Sequence, residues 1–257
     1  MSLFQVSFFS KVLGKATMLS VIIPESESRE YAPIDRSIKY PTLYLFHGGT
    51  DDHSAWMRQT SIERYAKEHK IAVVMPDADL SYYTDMVHGR KYWTFISEEV
   101  PDFVRAHFPL SEKREDNFVA GLSMGGYGSF KMALKKPEMF NAAASFSGTL
   151  CMDEMINYVP HREKEFKEIF GALDVIKDSE NDLRYLIKKS VDKKVNIPRL
   201  YQFCGTEDFL YKMNQDFKKY ADELGINTNY EEAKGSHEWN YWDNCIQRAL
   251  ELFKIGK

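Results

Sequence analysis

From Thr42 onward the chain alternates short apolar runs with stretches of helical period, and this alternation restricts the fold more than any other feature. Thr42–Phe46, Ile71–Met75, Asn117–Ala120, Ala142–Phe146, Arg199–Cys204 and Asn227–Glu232 read as strands. Between them Ser61–His69, Tyr92–His107, a run ending near Lys136, Phe209–Leu224 and Glu238–Lys254 carry apolar residues at helical spacing. Strands interleaved with helices imply a mostly parallel sheet covered on both faces, because each parallel connection must cross back over the sheet. The expected class is α/β. Ahead of this pattern, Val6–Leu13 and Thr17–Ile23 read as an antiparallel pair turning through Gly14. Pro101, which has no N–H to give, should bend or divide the Tyr92–His107 helix.

Residues 149–196 break the rhythm. They are charged and carry two expected helices, near Arg162–Phe170 and Glu180–Lys193. With no internal repeat, low-complexity tract or Pro/Gly-rich linker, residues 1–257 read as one domain with a cap-like insertion at about 149–196. Lys and Arg number 34 against 38 Asp and Glu, for a net charge of −4. With no basic block, nucleic acid is not an expected partner. No apolar run approaches the roughly 18 residues that span a bilayer, so no membrane partner is expected. Met1–Lys11 lacks the basic start and unbroken apolar stretch of a secretory signal. Cys151, Cys204 and Cys245 are odd in number and far apart, which suits a reducing cytoplasm and fits no zinc spacing.

Gly121-Leu122-Ser123-Met124-Gly125-Gly126 carries the Gly-x-Ser-x-Gly pattern. Its context makes it specific: Asn117–Ala120 supplies a strand before it and Tyr127–Leu134 a helix after it. A serine on a sharp strand-to-helix turn needs flanking glycines to relieve crowding, and the helix N-terminus favours a developing negative charge. Ser123 is the candidate nucleophile; the plainer alternative is a serine that merely caps the helix. The α/β-hydrolase fold places its acid and then its histidine after the serine, each at the end of a strand. Of seven histidines, only His161 and His237 follow Ser123. His161 lies in the insertion, whereas His237 directly follows the last expected strand, so His237 is the candidate base. Gly205-Thr206-Glu207-Asp208 follows the preceding strand, and Asp208 is chosen as the orienting acid with Glu207 as its competitor. His47-Gly48-Gly49 follows Thr42–Phe46, where this fold forms half of its oxyanion hole. The backbone N–H groups of Gly49 and Met124 are the expected donors, with His47 structural.

Several aromatics fall near loops that should face this site: Trp56, Tyr82, Tyr83, Tyr92, Trp93, Phe209 and Trp239. Trp56 and Phe209 are the ones expected against substrate. His53, His88, Asp77 and Asp79 match no metal-ligand spacing, so no metal is expected. The insertion interleaves Glu163, Lys164, Glu165, Lys167 and Glu168 with few apolar residues. It lacks the long apolar face of a lipase lid, which points to short acyl chains.

Taken together, Leu45-Phe46-His47-Gly48-Gly49, the stretch Gly121–Gly128, Gly205-Thr206-Glu207-Asp208-Phe209 and His237-Glu238-Trp239 resemble the esterase D-like family, most of all the bacterial tributyrin esterases. The likeness runs from about Val6 to the end and includes Ala142–Gly148. It implies an α/β-hydrolase fold, short-chain carboxylester hydrolysis on a small-molecule substrate, no metal or organic cofactor, and often a homo-oligomer. The same group holds S-formylglutathione hydrolases, which usually carry Ser-Gly-Leu-Thr-Cys at the oxyanion loop. Here that loop is His47-Gly48-Gly49-Thr50-Asp51, and the missing cysteine lowers the expectation of that thioester. An acyltransferase is the nearest rival, since an alcohol can resolve the same acyl-enzyme that water does.

Overall fold

A computed structural model describes residues 1–255 apart from 26–29, 32, 34 and 36. Eight strands, β1 (Ser2–Ser10), β2 (Lys15–Ile23), β3 (Thr42–Phe46), β4 (Ala72–Pro76), β5 (Asn117–Leu122), β6 (Ala142–Phe146), β7 (Arg199–Gly205) and β8 (Tyr230–Ala233), form one sheet. Their order is β1-β2-β4-β3-β5-β6-β7-β8. The β1–β2 and β2–β4 pairs are antiparallel, and every pair from β4–β3 to β7–β8 is parallel. The opening hairpin begins earlier than the sequence suggests, with Ser2 opposite Ile23 and Ser10 opposite Lys15. Residues 11–14 are consumed by the turn, closed by the Gly14 N–H on the Ser10 carbonyl at 2.9 Å with Gly14 at φ +63°.

Each central strand feeds two cores through the alternation of its side chains. Leu43 and Leu45 of β3 join Phe118, Ala120, Ala142 and Ala144 on one face, under Trp242, Ile246 and Leu250 of the helix Trp239–Phe253. Tyr44 and Phe46 point to the other face with Val74, Val119 and Ala143, against Tyr127, Phe130 and Ala133 of the helix Met124–Lys135. Burial on both sides explains why these strands read as nearly continuous apolar runs.

Pro101 leaves its mark as expected: a π-helical turn, Phe95–Glu99, precedes the helix Val100–His107, with the proline in that helix's first turn. Residues 149–196, the stretch expected to be an insertion, form short turns and two longer helices, Glu163–Phe170 and Leu183–Asp192. Their apolar residues Phe166, Ile169, Phe170, Leu183, Leu186 and Ile187 are buried in the core that contains Tyr127 and Phe130. Arg184 ties the insertion to itself through Asp153 at 2.6 Å and Glu154 at 2.8 Å. The Tyr127 hydroxyl ties it to the helix Met124–Lys135 by donating to the Asn181 carbonyl at 2.8 Å. The carboxyl ends of β3, β5, β7 and β8 all open on one edge of the sheet, where sites form in folds of this kind.

Candidate active site

Ser123 is the single residue between β5 and the helix Met124–Lys135, and it sits at φ 52°, ψ −115°. A non-glycine residue there is strained by about 1–3 kcal/mol and persists only where its surroundings hold it. The Ser123 N–H donates to the Phe146 carbonyl at 2.8 Å, and the Ser123 carbonyl accepts from Tyr127 N–H at 3.2 Å and Thr149 N–H at 3.3 Å. Two glycines make the turn possible by close approach. A Cβ on Gly121 would stand 2.4 Å from the Gly125 carbonyl oxygen, and one on Gly125 would stand 2.5 Å from the Phe46 oxygen.

The Ser123 hydroxyl lies 3.0 Å from Nε2 of His237. Nδ1 of the same imidazole lies 2.9 Å and 3.1 Å from the two carboxylate oxygens of Asp208. A carboxylate accepts only, so Nδ1 carries the proton and Nε2 presents its lone pair to the serine hydroxyl. The Asp208 side chain is fully buried, and its Oδ1 also accepts the Leu210 N–H at 2.8 Å. Glu207 does not reach the ring: its side chain is 58% exposed and lies 3.9 Å from the Lys234 ammonium. His161 is exposed in the insertion, and no bond joins it to Ser123 among the described residues.

The loop after β3 is braced from behind. The Phe46 carbonyl accepts the Trp56 indole N–H at 3.0 Å, and the His47 carbonyl accepts the Tyr83 hydroxyl at 3.0 Å. His47 is buried, and that burial lowers its pKa and keeps the ring neutral. Its Nε2 accepts from the Ala78 N–H at 2.9 Å, which leaves Nδ1 to donate to the Gly48 carbonyl at 2.7 Å. With three successive carbonyls engaged, the Gly49 N–H is left over. Neither it nor the Met124 N–H at the head of the helix donates to another protein group among the described residues.

A protein-family model described as "Putative esterase" matches residues 10–253 of this chain. The chain belongs to the Esterase family. It is 31% identical to the acetyl esterase of Caldicellulosiruptor saccharolyticus over 260 residues, covering 98% of this chain and 97% of that one. Two solved structures from Staphylococcus aureus are each 38% identical over 98% of both chains. One is the fluorophosphonate-binding serine hydrolase F with substrate bound (TM-score 0.91), the other the S-formylglutathione hydrolase FrmB without ligand (TM-score 0.88). The fold is thus that of the α/β-hydrolase serine esterases, and the protein is an enzyme that hydrolyses esters.

Within this esterase the two aromatics expected against substrate part company. Trp56 is only 1% exposed, packed edge-on to Trp239 at 5.2 Å and Phe146 at 6.0 Å. Substrate contact is therefore corrected to a supporting position, since a buried indole N–H needs an acceptor and finds it in the Phe46 carbonyl. Phe209 is half exposed and meets the His237 ring edge-on at 4.7 Å, with Trp242 on another side at 4.9 Å. Tyr82, Tyr83 and Tyr92 are buried, with Tyr82 and Tyr83 at φ +48° and +49°. Sequence reasoning passed over Arg162, which the insertion brings against Gly49. No local pattern marks it, because its position depends on how the insertion folds back. His53 pairs with the Ser20 hydroxyl at 2.9 Å. Among the described residues no helix is long and apolar enough to cross a membrane.

Proposed function

We propose that this esterase cleaves short-chain carboxylic esters through Ser123, His237 and Asp208, by way of an acyl-enzyme. The unbroken relay from the Ser123 hydroxyl through His237 to the buried Asp208 is the observation that carries the reading. His237 takes the serine proton as the hydroxyl attacks the ester carbonyl, then returns it to the departing alcohol. Asp208 fixes the tautomer and stabilises the imidazolium. The Gly49 and Met124 N–H groups receive the oxyanion, each contributing roughly 2.7–4 kcal/mol to the transition state. Water activated by the same histidine then frees the acid. The cycle calls for no metal or organic cofactor. The three cysteines, all free and buried, fit a reducing cytoplasm.

Support for short acyl chains comes from the polar outer face of the insertion and from the acetyl esterase likeness. Ser123→Ala should abolish hydrolysis with the melting curve unchanged, and a fluorophosphonate should add one equivalent at Ser123. An adduct mapped to Ser145, Ser147 or Ser236 would overturn the assignment. Across acetyl to decanoyl esters kcat/KM should peak at short chains; a steady rise of up to about 0.8 kcal/mol per methylene would argue for a deep acyl tunnel instead. A thioester substrate is a second reading, favoured by the 38% identity to the S. aureus S-formylglutathione hydrolase. Comparing S-formylglutathione with a simple acetyl ester decides between them.

A further inference from the structure

The insertion places one cation beside the oxyanion loop. Both terminal nitrogens of Arg162 come close to Gly49: a Cβ built there would stand 3.8 Å from Nη2 and 3.9 Å from Nη1. The side chain is 23% exposed. Its guanidinium carbon lies 5.9 Å from the Tyr82 ring centre and 5.6 Å from that of Phe166. Glu165, three residues on, takes the Nε edge at 3.2 Å together with Nη2. Nη1 carries two further N–H groups, of which the Tyr82 hydroxyl can take one. Tyr82 in turn directs its backbone N–H at the Met124 sulfur at 3.4 Å. Arg162 therefore adjoins the segment that carries Gly49 and reaches Met124 only through Tyr82.

A guanidinium held by a carboxylate on one edge and by aromatic rings has little freedom left. The donors that remain lie on the side of the oxyanion loop. A helix-starting ion pair with Glu165 would be equally satisfied with the guanidinium turned to solvent; the Tyr82 and Phe166 rings are what hold it against the loop. A carbonyl bound at the Gly49 N–H would bring the atoms a few bonds from its carbon within reach of these donors. The planar fork of arginine matches the paired oxygens of a carboxylate.

We propose that Arg162 is a specificity-determining residue that binds a carboxylate carried by the substrate close to the scissile carbonyl. The preferred class is then an ester or thioester with an anionic group near the reacting carbon. This rests on the Ser123 and Gly49 assignments above.

Two matched substrate pairs test it. 4-Nitrophenyl hemisuccinate against 4-nitrophenyl butyrate places the carboxylate on the acyl side. 4-Acetoxybenzoate against its methyl ester places it on the leaving side. In one pair, Arg162→Gln should lower kcat/KM for the charged member about ten-fold or more, mainly through KM. The neutral member should change less than about three-fold, Arg162→Lys should recover part of the loss, and Glu165→Gln should raise the charged-to-neutral ratio. Equal losses for both members would overturn the proposal and leave Arg162 as a brace for the loop. Unchanged ratios in Arg162→Gln and Glu165→Gln would overturn it too. Failure of the underlying site would look different: Ser123→Ala would keep its activity on the neutral esters.

Discussion

Replacing Gly125 with alanine should push the head of the helix that follows Ser123 and the loop after β3 apart, and with them the proposed nucleophile and oxyanion donors. The new methyl carbon would lie 2.5 Å from the Phe46 carbonyl oxygen, 2.6 Å from that of His47 and 2.8 Å from the Phe46 carbonyl carbon. Carbon and oxygen rest comfortably at about 3.3–3.6 Å, so the deficit is about 1 Å, and every obstacle is backbone. The loop cannot simply retreat. The Trp56 indole holds the Phe46 oxygen and the Tyr83 hydroxyl holds the His47 oxygen, both at 3.0 Å, and each such bond contributes about 0.5–1.5 kcal/mol net. The displacement must therefore be shared between the loop and the helix head, which carry the two proposed oxyanion donors at Gly49 and Met124. A misplacement near 1 Å costs on the order of 100-fold in rate, similar to losing one donor. Stability should fall by about 1–3 kcal/mol from overpacking. Steady-state kinetics on a neutral acetyl ester should show the loss mostly in kcat. Fluorophosphonate should still label Ser123, to completion but slowly. If Gly125→Ala kept kcat within about three-fold and melted like the wild type, the close approach would not be what sets the oxyanion hole.

Asp208→Asn should lower kcat by on the order of 10⁴, because the amide can stabilise the wrong imidazole tautomer; Glu207→Gln should stay near wild type, and the reverse pattern would exchange the two roles. Trp56→Phe should cost about 1–3 kcal/mol in a denaturation experiment, since the Phe46 carbonyl loses its buried donor. Its KM should hold, and a rise in KM with unchanged stability would restore a substrate contact. The lowered His47 pKa carries a pH dependence of stability. The folded state takes up this proton less readily than the unfolded chain, so the contribution is complete above the ordinary histidine value of 6.5 and fades as pH falls below it. One proton bounds the slope at about 1.4 kcal/mol per pH unit. Melting curves between pH 7 and 5 should therefore depend on pH less in His47→Gln than in wild type; equal slopes would mean that His47 protonates freely in the fold.

The alternation of buried strands and helices was legible in the central part of the sheet, because strands covered on both faces must be apolar throughout, whereas the edge strand Tyr230–Ala233 starts three residues later than Asn227–Glu232 was expected to. β3 and β6 match their expected bounds, and β5, β7 and the helix Trp239–Phe253 differ at their ends by one or two residues. The places of Ser123 and His237 were equally legible, since a glycine-flanked turn and a histidine after the last strand are local signals tied to chain order. The choice of Asp208 over Glu207 turned on geometry, because two adjacent carboxylates look alike until one points into the sheet edge and the other at Lys234. Trp56 was misread for a related reason: a loop aromatic can line a pocket or brace it from behind, and only the Phe46 carbonyl at 3.0 Å decides. The left-handed backbone of Tyr82 and Tyr83 leaves no trace in residue type, because the strain is imposed by contacts from distant segments. Arg162 is the furthest from local prediction. It lies 113 positions from Gly49 (162 − 49), and the two meet only once Phe166, Ile169 and Phe170 have buried the insertion against the core. Local sequence thus encodes what a residue can do, while long-range burial decides which other residues it does it with.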